Sequence, residues 1–325
     1  MIINFMSLFD FFHYSIIIAI LMVAMFVYFR IADKFNIIDK PNERSSHDYI
    51  TLRGGGIVWF LSGSLFSLFN LSESLYFLIG FTMVSVVSFW DDFASLSNKT
   101  RIIVHFLAIS VLFYGLKVFN ILTWWQVLIA YVFIVGILNA YNFMDGINGI
   151  TGLYSLSVLI GLQYVNCVIV YFTQIDFINY AILACLVFLF FNFRKRAKCF
   201  AGDIGSMAVS FWIVTLLLQL ILKTQSVIWI LFLTVYGVDT ILTILHRFYL
   251  KQNIFLAHRL HFYQVLTNER GFSHLTVASG YAAAQLIICF VIISLYRFSL
   301  SFIWITGIGM LFLCCLTYFL KFKKS

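Results

Sequence analysis

Two adjacent carboxylates stand out in a chain of 325 residues that has only 13 acidic side chains. Asp91 and Asp92 directly follow Phe89-Trp90 at the end of an apolar run. Neighbouring carboxylates at such a place repel each other unless a cation or a proton lies between them. The pair is therefore a candidate metal-binding or catalytic site. The alternative is a pair of solvated loop acids.

A second candidate is the segment NFRKRAKCFAGDIGS, residues 192–206. It begins with Asn192, continues through a basic run that includes Lys198, and places Asp203 close to two glycines just before another apolar run. Free N–H groups at a helix start, nearby cations and one carboxylate suit a phosphate together with Mg²⁺. A basic run alone is also typical of the cytoplasmic flank of a membrane span, but that explanation leaves Asp203 unaccounted for.

The segment NAYNFMDGINGI, residues 139–150, places Asn139, Asn142, Asp145 and Asn148 at every third position. This spacing puts the four side chains roughly on one side of a helix end. A row of amides and carboxylates suits hydrogen bonding to a nucleobase or a ribose. A helix cap followed by turn glycines would explain the same segment equally well.

Histidine and arginine form the last two groups of candidates. His258, Arg259 and His261 lie together near the C-terminal side and could hold a phosphate or share a proton, whereas a zinc site would need more ligands. Their alternative is a set of interfacial polar residues. His47 and Arg53 precede a run of three glycines that would let a phosphate approach the backbone closely.

The composition indicates how these residues are positioned. The chain is 62% hydrophobic and 10% charged, with a mean hydropathy of +1.00, whereas soluble domains are about 45–50% apolar and about 25% charged. It has 38 Phe and a single Pro, which favours long helices over the turn-rich strands of a membrane barrel. We therefore predict an all-α polytopic membrane protein. The six cysteines lack the spacing of a metal site.

Eleven apolar runs are long enough to cross about 30 Å of hydrocarbon, so we predict about eleven transmembrane helices. The runs are 12–29, 55–71, 75–90, 102–119, 124–141, 150–172, 177–193, 205–222, 226–245, 274–296 and 300–320. The first lacks a basic leader and a small-residue cleavage site, so we expect it to be retained as a helix. No linker or repeat divides the chain, and we predict a single domain over residues 1–325.

The distribution of positive charge predicts the orientation of these helices. All but three of the 21 Lys and Arg residues fall in alternate loops; the exceptions are Lys117, Lys223 and Arg297. Because cytoplasmic loops carry the excess of Lys and Arg, we predict a periplasmic N-terminus and a cytoplasmic C-terminus. The net charge of +8 then reflects membrane topology rather than binding to nucleic acid. All the candidate clusters fall in the inner loops.

In this order the clusters resemble the polyprenyl-phosphate N-acetylhexosamine-1-phosphate transferases, a family that includes the phospho-N-acetylmuramoyl-pentapeptide transferases. The resemblance spans about residues 30–265. The motifs that carry it are DKPNERSSH with RGGG, the Asp91-Asp92 pair with Leu96, Lys99 and Arg101 after it, NAYNFMDGINGI, FAGDIGS and AHRLH.

The resemblance implies transfer of a sugar-1-phosphate from a UDP-N-acetylhexosamine to undecaprenyl phosphate, with release of UMP. It implies Mg²⁺, or Mn²⁺ in its place, held by Asp203 and Asp92, with Asp91 as the third catalytic carboxylate. The substrate-binding positions that it implies are His47, Arg53, Asn142, Asp145, Asn148, Asn192, Lys198, His258, Arg259 and His261. The expected location is the bacterial inner membrane with the site on the cytoplasmic face. Whether the chain forms a homodimer is left undecided by the sequence.

The histidine motif favours the branch that starts O-antigen and lipopolysaccharide synthesis, because the peptidoglycan branch has consecutive histidines where this chain has Arg259 and Leu260 between two. The chain also departs from the family. Asn148 replaces a usual Asp, Ala201 replaces a usual Met, two prolines are absent, and the stretch 192–203 is one residue longer. These departures leave the sugar undetermined.

Three other classes of protein are alternatives to this prediction. A secondary transporter would place its site near the middle of the membrane. A CDP-alcohol phosphatidyltransferase would show a denser run of aspartates. A scaffold protein would give no reason for the polar motifs.

Overall fold

The computed structural model describes residues 8–41, 49–94, 96–252 and 259–296, together with 307–309, 311 and 315. Its helices are α1 (Leu8–Lys34), α2 (Ile57–Phe69), α3 (Leu71–Phe93), α4 (Asn98–Gly115), α5 (Val118–Ile121), α6 (Trp124–Met144), α7 (Ile150–Tyr164), α8 (Ile175–Asn192), α9 (Gly202–Thr224), α10 (Thr234–Tyr249), α11 (Phe262–Gln264) and α12 (His274–Leu295). π-Helical turns at Val165–Ile169 and Val265–Glu269 extend α7 and α11, and a 3-10 helix at Val227–Leu233 precedes α10.

Eight helical segments in the described part of the chain are long and apolar enough to cross a membrane. They comprise α1, α3, α6, α7 with its π-helical turn, α8, α9, the 3-10 helix with α10, and α12. Helix α2 is apolar but has only 13 residues. Helix α4, which carries Lys99 and Arg101 in its first turn, is not among the eight. The chain is therefore a multi-pass helical membrane protein, as its composition predicts.

Helix α9 forms the centre of the bundle. Of its most apolar stretch, 89% is buried inside the protein, against 28% for α1. It packs against α2, α3, α6 and α7, and its buried Phe211 and Trp212 contact Phe77 and Phe81 of α3. Since α9 begins at Gly202, this packing holds the neighbouring Asp203 in one place at the end of the bundle.

Glycines allow the segment before α2 to lie directly against the start of α9. A Cβ atom on Gly56 would lie 2.1 Å from the Cα atom of Gly205, so α2 and α9 cross where neither can carry a side chain. Gly202 has φ +72°, and a Cβ there would lie 2.6 Å from a carboxylate oxygen of Asp92. The three-glycine run and the Gly-Asp motif thus meet through their backbones.

Short strands complete the contact between these loops. Strands β1 (Ile38–Asp39) and β2 (Thr51–Leu52) pair antiparallel, and Leu52 also forms a parallel bridge with Cys199. The N–H groups of Gly55 and Gly56 donate to the carbonyl oxygens of Phe200 and Ala201, at 2.8 and 2.9 Å. The segment before α2 and the segment before α9 are therefore one joined surface.

Each of the first ten predicted runs coincides with a helix, although the run 226–245 is divided into a 3-10 helix and α10. The eleventh run, 300–320, lies almost wholly outside the described residues. The all-α membrane class is confirmed. The count of eleven spans, the orientation of the termini and the single domain stay predictions.

Candidate active site

A polar cavity of about 240 Å³ opens at the end of the bundle where α6 and α8 end and α7, α9 and α12 begin, which we call the site end. Its walls come from four loops that are far apart in the sequence. The lining residues are Asp39, Arg53, Asn142, Asp145, Gly146, Ile147, Asn148, Asn192, Phe200, Ala201, Gly202, Asp203, Gln264 and His274.

Asp203 is the carboxylate that faces this cavity. Its Oδ1 atom accepts hydrogen bonds from Asn142 at 3.0 Å and from Arg53 at 3.3 Å. Its Oδ2 atom lies 3.9 Å from Nη1 of Arg101, and 17% of the side chain is exposed. Asp203 is thus held by an amide and two guanidinium groups and is still accessible from the cavity that it lines.

Asp92 lies behind Asp203 with no side-chain exposure. Its two oxygens accept the backbone N–H groups of Asp203 and Ile204, at 2.8 and 3.1 Å. The residue before α9 is Ala201, which has no side-chain oxygen to cap the helix, so Asp92 of α3 supplies the cap. Arg53 Nε also contacts this carboxylate at 2.7 Å.

Asp91 completes a chain of alternating charges. Its carboxylate accepts the N–H of Leu96 at 2.6 Å and pairs with Arg101 at 2.8 Å. Arg101 in turn faces Asp203, which faces Arg53. Three carboxylates held so close to two guanidinium groups create a strongly polar floor on which phosphate oxygens and a divalent cation can both be neutralised.

The loop after α6 forms one wall. The Asp145 carboxylate accepts a hydrogen bond from Thr151 Oγ1 at 2.6 Å. Desolvation in the wall raises the pKa of Asp145 to about 7; the Thr151 hydroxyl opposes this rise and the negative charge of Asp203 adds to it. Asp145 therefore gains or loses its charge near neutral pH.

Asn192 connects two walls of the cavity. Its Oδ1 accepts the N–H of Gly149 at 2.6 Å, and its Nδ2 donates to the carbonyl oxygen of Cys199 at 2.8 Å. Both side-chain groups are thus engaged by backbone atoms. Asn192 lines the cavity and at the same time fixes the distance between the loop after α6 and the loop before α9.

Asn148 is buried, with 1% exposure, and holds the basic loop. Its Nδ2 donates to the carbonyl oxygen of Arg194 at 2.8 Å and to the hydroxyl of Tyr49 at 3.3 Å. The same Tyr49 hydroxyl accepts the N–H of Ala197 at 2.8 Å and donates to the carbonyl oxygen of Lys195 at 3.3 Å. A carboxylate at position 148 could not donate to these carbonyl oxygens.

Residues 259–264, which we call the histidine segment, are held by a contact with α10. His261 is buried and its Nδ1 lies 3.3 Å from Oδ1 of Asp239 in α10. The segment reaches the cavity through Gln264, while His274 at the start of α12 receives the backbone N–H of Asn148 at 3.5 Å. His261 itself does not line the cavity.

Most of the residues predicted from the sequence meet here. Asp203 and five of the predicted binding residues line the cavity, with Asp91 and Asp92 directly behind; the five are Arg53, Asn142, Asp145, Asn148 and Asn192. Lys198 is exposed beside the cavity without lining it, and Arg259 also lies outside the lining. His47 and His258 lie outside the described residues.

Sequence reasoning missed several residues. Phe200 begins the motif FAGDIGS and Gln264 follows the motif AHRLH by three residues; both line the cavity, so the motifs were a usable signal. Asp39 is the first residue of the motif DKPNERSSH and was not singled out. His274 and Asp239 had no local signal, because only the fold brings them close to the site. Asn139, the first of the regularly spaced amides, donates to the carbonyl oxygen of Val135 in its own helix.

The site's fit for a metal depends on Asp203. Among the described residues, no group of three His, Cys, Asp or Glu side chains converges to hold an ion by itself. Mg²⁺ is usually bound by one or two carboxylates, with waters and substrate phosphates completing its shell. A cavity-facing Asp203 with a second carboxylate behind it fits that mode of binding.

Comparison with known proteins places this chain in a family. Residues 74–221 match the model of glycosyl transferase family 4. The chain is 31% identical over 267 residues to a probable undecaprenyl-phosphate N-acetylglucosaminyl 1-phosphate transferase of Bacillus subtilis, covering 75% of this chain and 73% of the relative. Residues 74–221, the stretch matched by the family model, contain most of α3, all of α4 to α8 and most of α9.

Two other relatives show that the chain is similar both to N-acetylglucosaminyl 1-phosphate transferases and to phospho-N-acetylmuramoyl-pentapeptide-transferases. An undecaprenyl-phosphate alpha-N-acetylglucosaminyl 1-phosphate transferase of Salmonella typhi is 27% identical over 320 residues, covering 88% of this chain and 80% of the relative. A phospho-N-acetylmuramoyl-pentapeptide-transferase of Thermotoga neapolitana is 28% identical over 232 residues, covering 64% and 73%.

The described residues form a multi-pass helical bundle with a charged site at one end, and the relatives identify the chain as a membrane transferase. The chain belongs to the family of polyprenyl-phosphate sugar-1-phosphate transferases, glycosyl transferase family 4. The resemblance found from the motifs is confirmed, and the assignment to the O-antigen branch stays a prediction.

Proposed function

We propose that this chain transfers a sugar-1-phosphate from a UDP-N-acetylhexosamine to undecaprenyl phosphate and releases UMP. The observation that carries the proposal is the cavity in which Asp203 faces Arg53, Arg101 and Asn142 at the end of a membrane-embedded bundle. A secondary transporter would need its polar site near the middle of the helices. Here the charges gather where the helices end.

The donor nucleotide fits the amide-rich wall. Asn142, Asp145, Asn148 and Asn192 provide polar groups along one side, and Phe200 offers an aromatic surface in the same cavity. An extended UDP-sugar placed there would bring its diphosphate to Arg53 and Asp203. We also propose that donor binding involves the remaining positions implied by the resemblance, which are His47, Lys198, His258, Arg259 and His261.

In the transfer, a phosphate oxygen of undecaprenyl phosphate attacks the phosphorus that bears the sugar, and the bond to the bridging oxygen of UMP breaks. Catalysis of such a step is mostly positioning and charge neutralisation. Arg53 and Arg101 hold phosphate oxygens, while Asp91 orients the acceptor phosphate. That phosphate has a second pKa near 6, so it needs little help to lose its proton.

Mg²⁺, or Mn²⁺ in its place, would supply charge neutralisation at the diphosphate. We propose Asp203 as its first ligand, because this carboxylate has an open side toward the cavity. Asp92 as the second ligand would have to exchange its contact with Arg53 for the ion, since its oxygens already accept two backbone N–H groups.

The proposed setting is the bacterial inner membrane, with about eleven spans, a periplasmic N-terminus and the site on the cytoplasmic face. The basic loops around the cavity support this orientation. The acceptor's hydrocarbon chain then lies in the bilayer beside the bundle. We further propose a role in starting O-antigen or lipopolysaccharide synthesis, with GlcNAc or a deoxy relative such as FucNAc or QuiNAc as the sugar.

The test is UMP release by the purified chain in detergent with undecaprenyl phosphate and Mg²⁺. The donors are UDP-GlcNAc, UDP-GalNAc, UDP-FucNAc, UDP-QuiNAc and UDP-N-acetylmuramoyl-pentapeptide. We expect release with one or more simple UDP-N-acetylhexosamines. Release only with the pentapeptide donor would place the chain in the peptidoglycan branch, and release with no donor would refute the proposed reaction.

A further inference from the structure

A buried carboxylate that the proposed mechanism does not use lies beneath the cavity. Asp239 of α10 is 3% exposed. Its Oδ1 accepts from the N–H of Phe262 at 2.9 Å and lies 3.3 Å from His261 Nδ1. Its Oδ2 accepts from the hydroxyl of Tyr281 at 2.6 Å and from the N–H of Tyr263 at 3.4 Å.

The buried Asp239 carboxylate needs these hydrogen-bond donors to remain where it is. Removing a carboxylate from water is costly unless hydrogen bonds replace the lost solvation. Besides the donors from the histidine segment and α12, Thr243 one turn further along α10 donates to Oδ1 at 3.2 Å. Asp239 therefore joins α10, the histidine segment and α12 at one point.

The anchored segment leads directly into the cavity wall. Asp239 fixes the backbone of Phe262 and Tyr263, and the next residue, Gln264, lines the cavity. Gln264 Oε1 also accepts the N–H of His261 at 3.3 Å, which closes the turn. A shift of the backbone at Phe262 would therefore move Gln264 within the cavity.

Tyr263 extends the same connection to the opposite wall. Its hydroxyl donates to the carbonyl oxygen of Phe143 in the last turn of α6 at 3.0 Å. A Cβ atom on Gly146 would lie 2.2 Å from this hydroxyl, so the loop after α6 passes directly over it. The distance between the histidine segment and the loop that carries Asp145 is thus set through Tyr263.

We infer that Asp239 is a positioning residue: it anchors residues 261–264 and, through Tyr263, sets the width of the cavity between Gln264 and the loop after α6. The inference rests on the proposed function for the statement that this cavity takes the UDP-sugar. Its specific consequence is that loss of the Asp239 carboxylate weakens donor binding while the acceptor, which approaches from the bilayer, is bound as before.

The experiment compares the wild type with Asp239→Asn in two measurements. Amide hydrogen exchange of peptides covering 259–273 reports the anchor without any substrate, and we expect faster exchange in the variant. Steady-state kinetics should show KM for the UDP-sugar raised about tenfold, the effect of one lost hydrogen bond to a charged group, with KM for undecaprenyl phosphate unchanged.

Asp176→Asn is the matched control. Asp176 also accepts a tyrosine hydroxyl, from Tyr14 at 2.5 Å, but at the opposite end of the bundle. We expect wild-type KM values and wild-type exchange of peptides 259–273 in this variant. Equal effects of the two substitutions on donor KM would show a general loss of stability and would overturn the assignment.

Tyr263→Phe tests the connection when Asp239→Asn does not accumulate as folded protein. It keeps the carboxylate and removes only the hydrogen bond to Phe143, so donor KM should rise by a smaller factor. A wild-type donor KM in Tyr263→Phe, or in a folded Asp239→Asn, would refute the positioning role. If the wild type releases no UMP yet Asp239→Asn exchanges faster, the proposed reaction is wrong and the anchor is upheld.

Discussion

The two ends of the helix bundle use polar residues in opposite ways. At the site end, three carboxylates and two arginines form one continuous chain of contacts beside a cavity. At the opposite end the described polar contacts are hydrogen bonds without an ion pair, and one chain of them joins Asp176, Tyr14, Asn179 and Gln163. Asn179 Nδ2 donates to the hydroxyl of Tyr14 at 2.7 Å, and Gln174 donates to Glu73 at 2.5 Å.

This difference indicates what each end is for. The hydrogen bonds at the opposite end join neighbouring helices, and the loss of one is expected to cost about 0.5–3 kcal/mol of stability without leaving an arginine unpaired. At the site end each arginine serves two carboxylates, so one substitution leaves several groups without a counter-charge. Function should therefore be sensitive to single changes at one end and tolerant of the same changes at the other.

The largest effect is expected for Asp203→Asn. Of Asp91, Asp92 and Asp203, only Asp203 lines the cavity. The change removes its carboxylate, which is the proposed first metal ligand. Loss of one such electrostatic group lowers turnover by about 10²–10³-fold or more. UMP release and Mn²⁺ binding, followed by electron paramagnetic resonance, should both fall. Undiminished UMP release would remove the metal assignment and with it much of the contrast between the two ends.

Asp92→Asn should come next. An amide cannot accept both N–H groups at the start of α9 and the Arg53 contact as a carboxylate does, so α9 loses its cap and Arg53 loses its nearest counter-charge. Lost hydrogen bonds to a charged group cost about 1–3 kcal/mol. A lower melting temperature in detergent together with reduced turnover is expected. Asp176→Asn is the comparison, and an equal fall in turnover there would erase the contrast.

The sequence predicts the helical membrane class and six of the fourteen residues that line the cavity, because both depend on local pattern. Apolar runs report helices directly, and Asp203 or Asn142 lie in motifs that are recognisable alone. The roles of the aspartates in the Asp91-Asp92 pair are different. Adjacent in sequence, they diverge in the fold, since one caps α9 while the other pairs with Arg101. Only the packing of α3 against α9 decides that.

Contacts between distant segments account for what sequence reasoning missed. Asp239 lies in an apolar run without a motif, and its importance arises from the return of residues 261–263 to α10. His274 reaches the cavity because α12 begins beside Asn148. Likewise, the regular spacing from Asn139 predicted one polar face, but α6 ends at Met144 and the later members follow a loop.

Asn148→Asp is expected to have an intermediate effect and tests the departure from the family at this position. A carboxylate would face the carbonyl oxygens of Arg194 and Lys195, which it cannot satisfy, and would push the basic loop away from the cavity. We expect KM for the UDP-sugar to rise about tenfold, as for one lost buried hydrogen bond, with kcat changed less.

Asn179→Asp at the opposite end is the matched control for Asn148→Asp. Asn179 donates to the hydroxyl of Tyr14 and accepts from Gln163 at 2.8 Å, so the same chemical change breaks a comparable amide contact. Its kinetic constants should equal those of the wild type. A wild-type donor KM in Asn148→Asp would show that the loop held by Tyr49 and Asn148 does not shape the donor pocket.

The smallest effect is a dependence of stability on pH that comes from Asp145. Its pKa is raised in the folded protein to about 7, first by desolvation, so the folded state holds this proton more tightly than the unfolded chain. The stabilisation is complete below the ordinary pKa of an aspartate, about 3.9, and is lost as the pH rises through about 7. Thermal midpoints should therefore fall across this window.

Two substitutions separate Asp145 from other titrating groups. Asp145→Asn cannot ionise, so its advantage over the wild type should grow from pH 4 to pH 8 and then level off. Thr151→Val removes the hydroxyl that opposes the rise in the pKa of Asp145, so the wild-type fall should move to higher pH. Parallel curves of thermal midpoint against pH for all three proteins would mean that other groups in the cavity wall compensate the charge of Asp145. The sensitivity of function to single substitutions at the site end would then come only from the ion pairs that connect Asp91, Arg101, Asp203, Arg53 and Asp92.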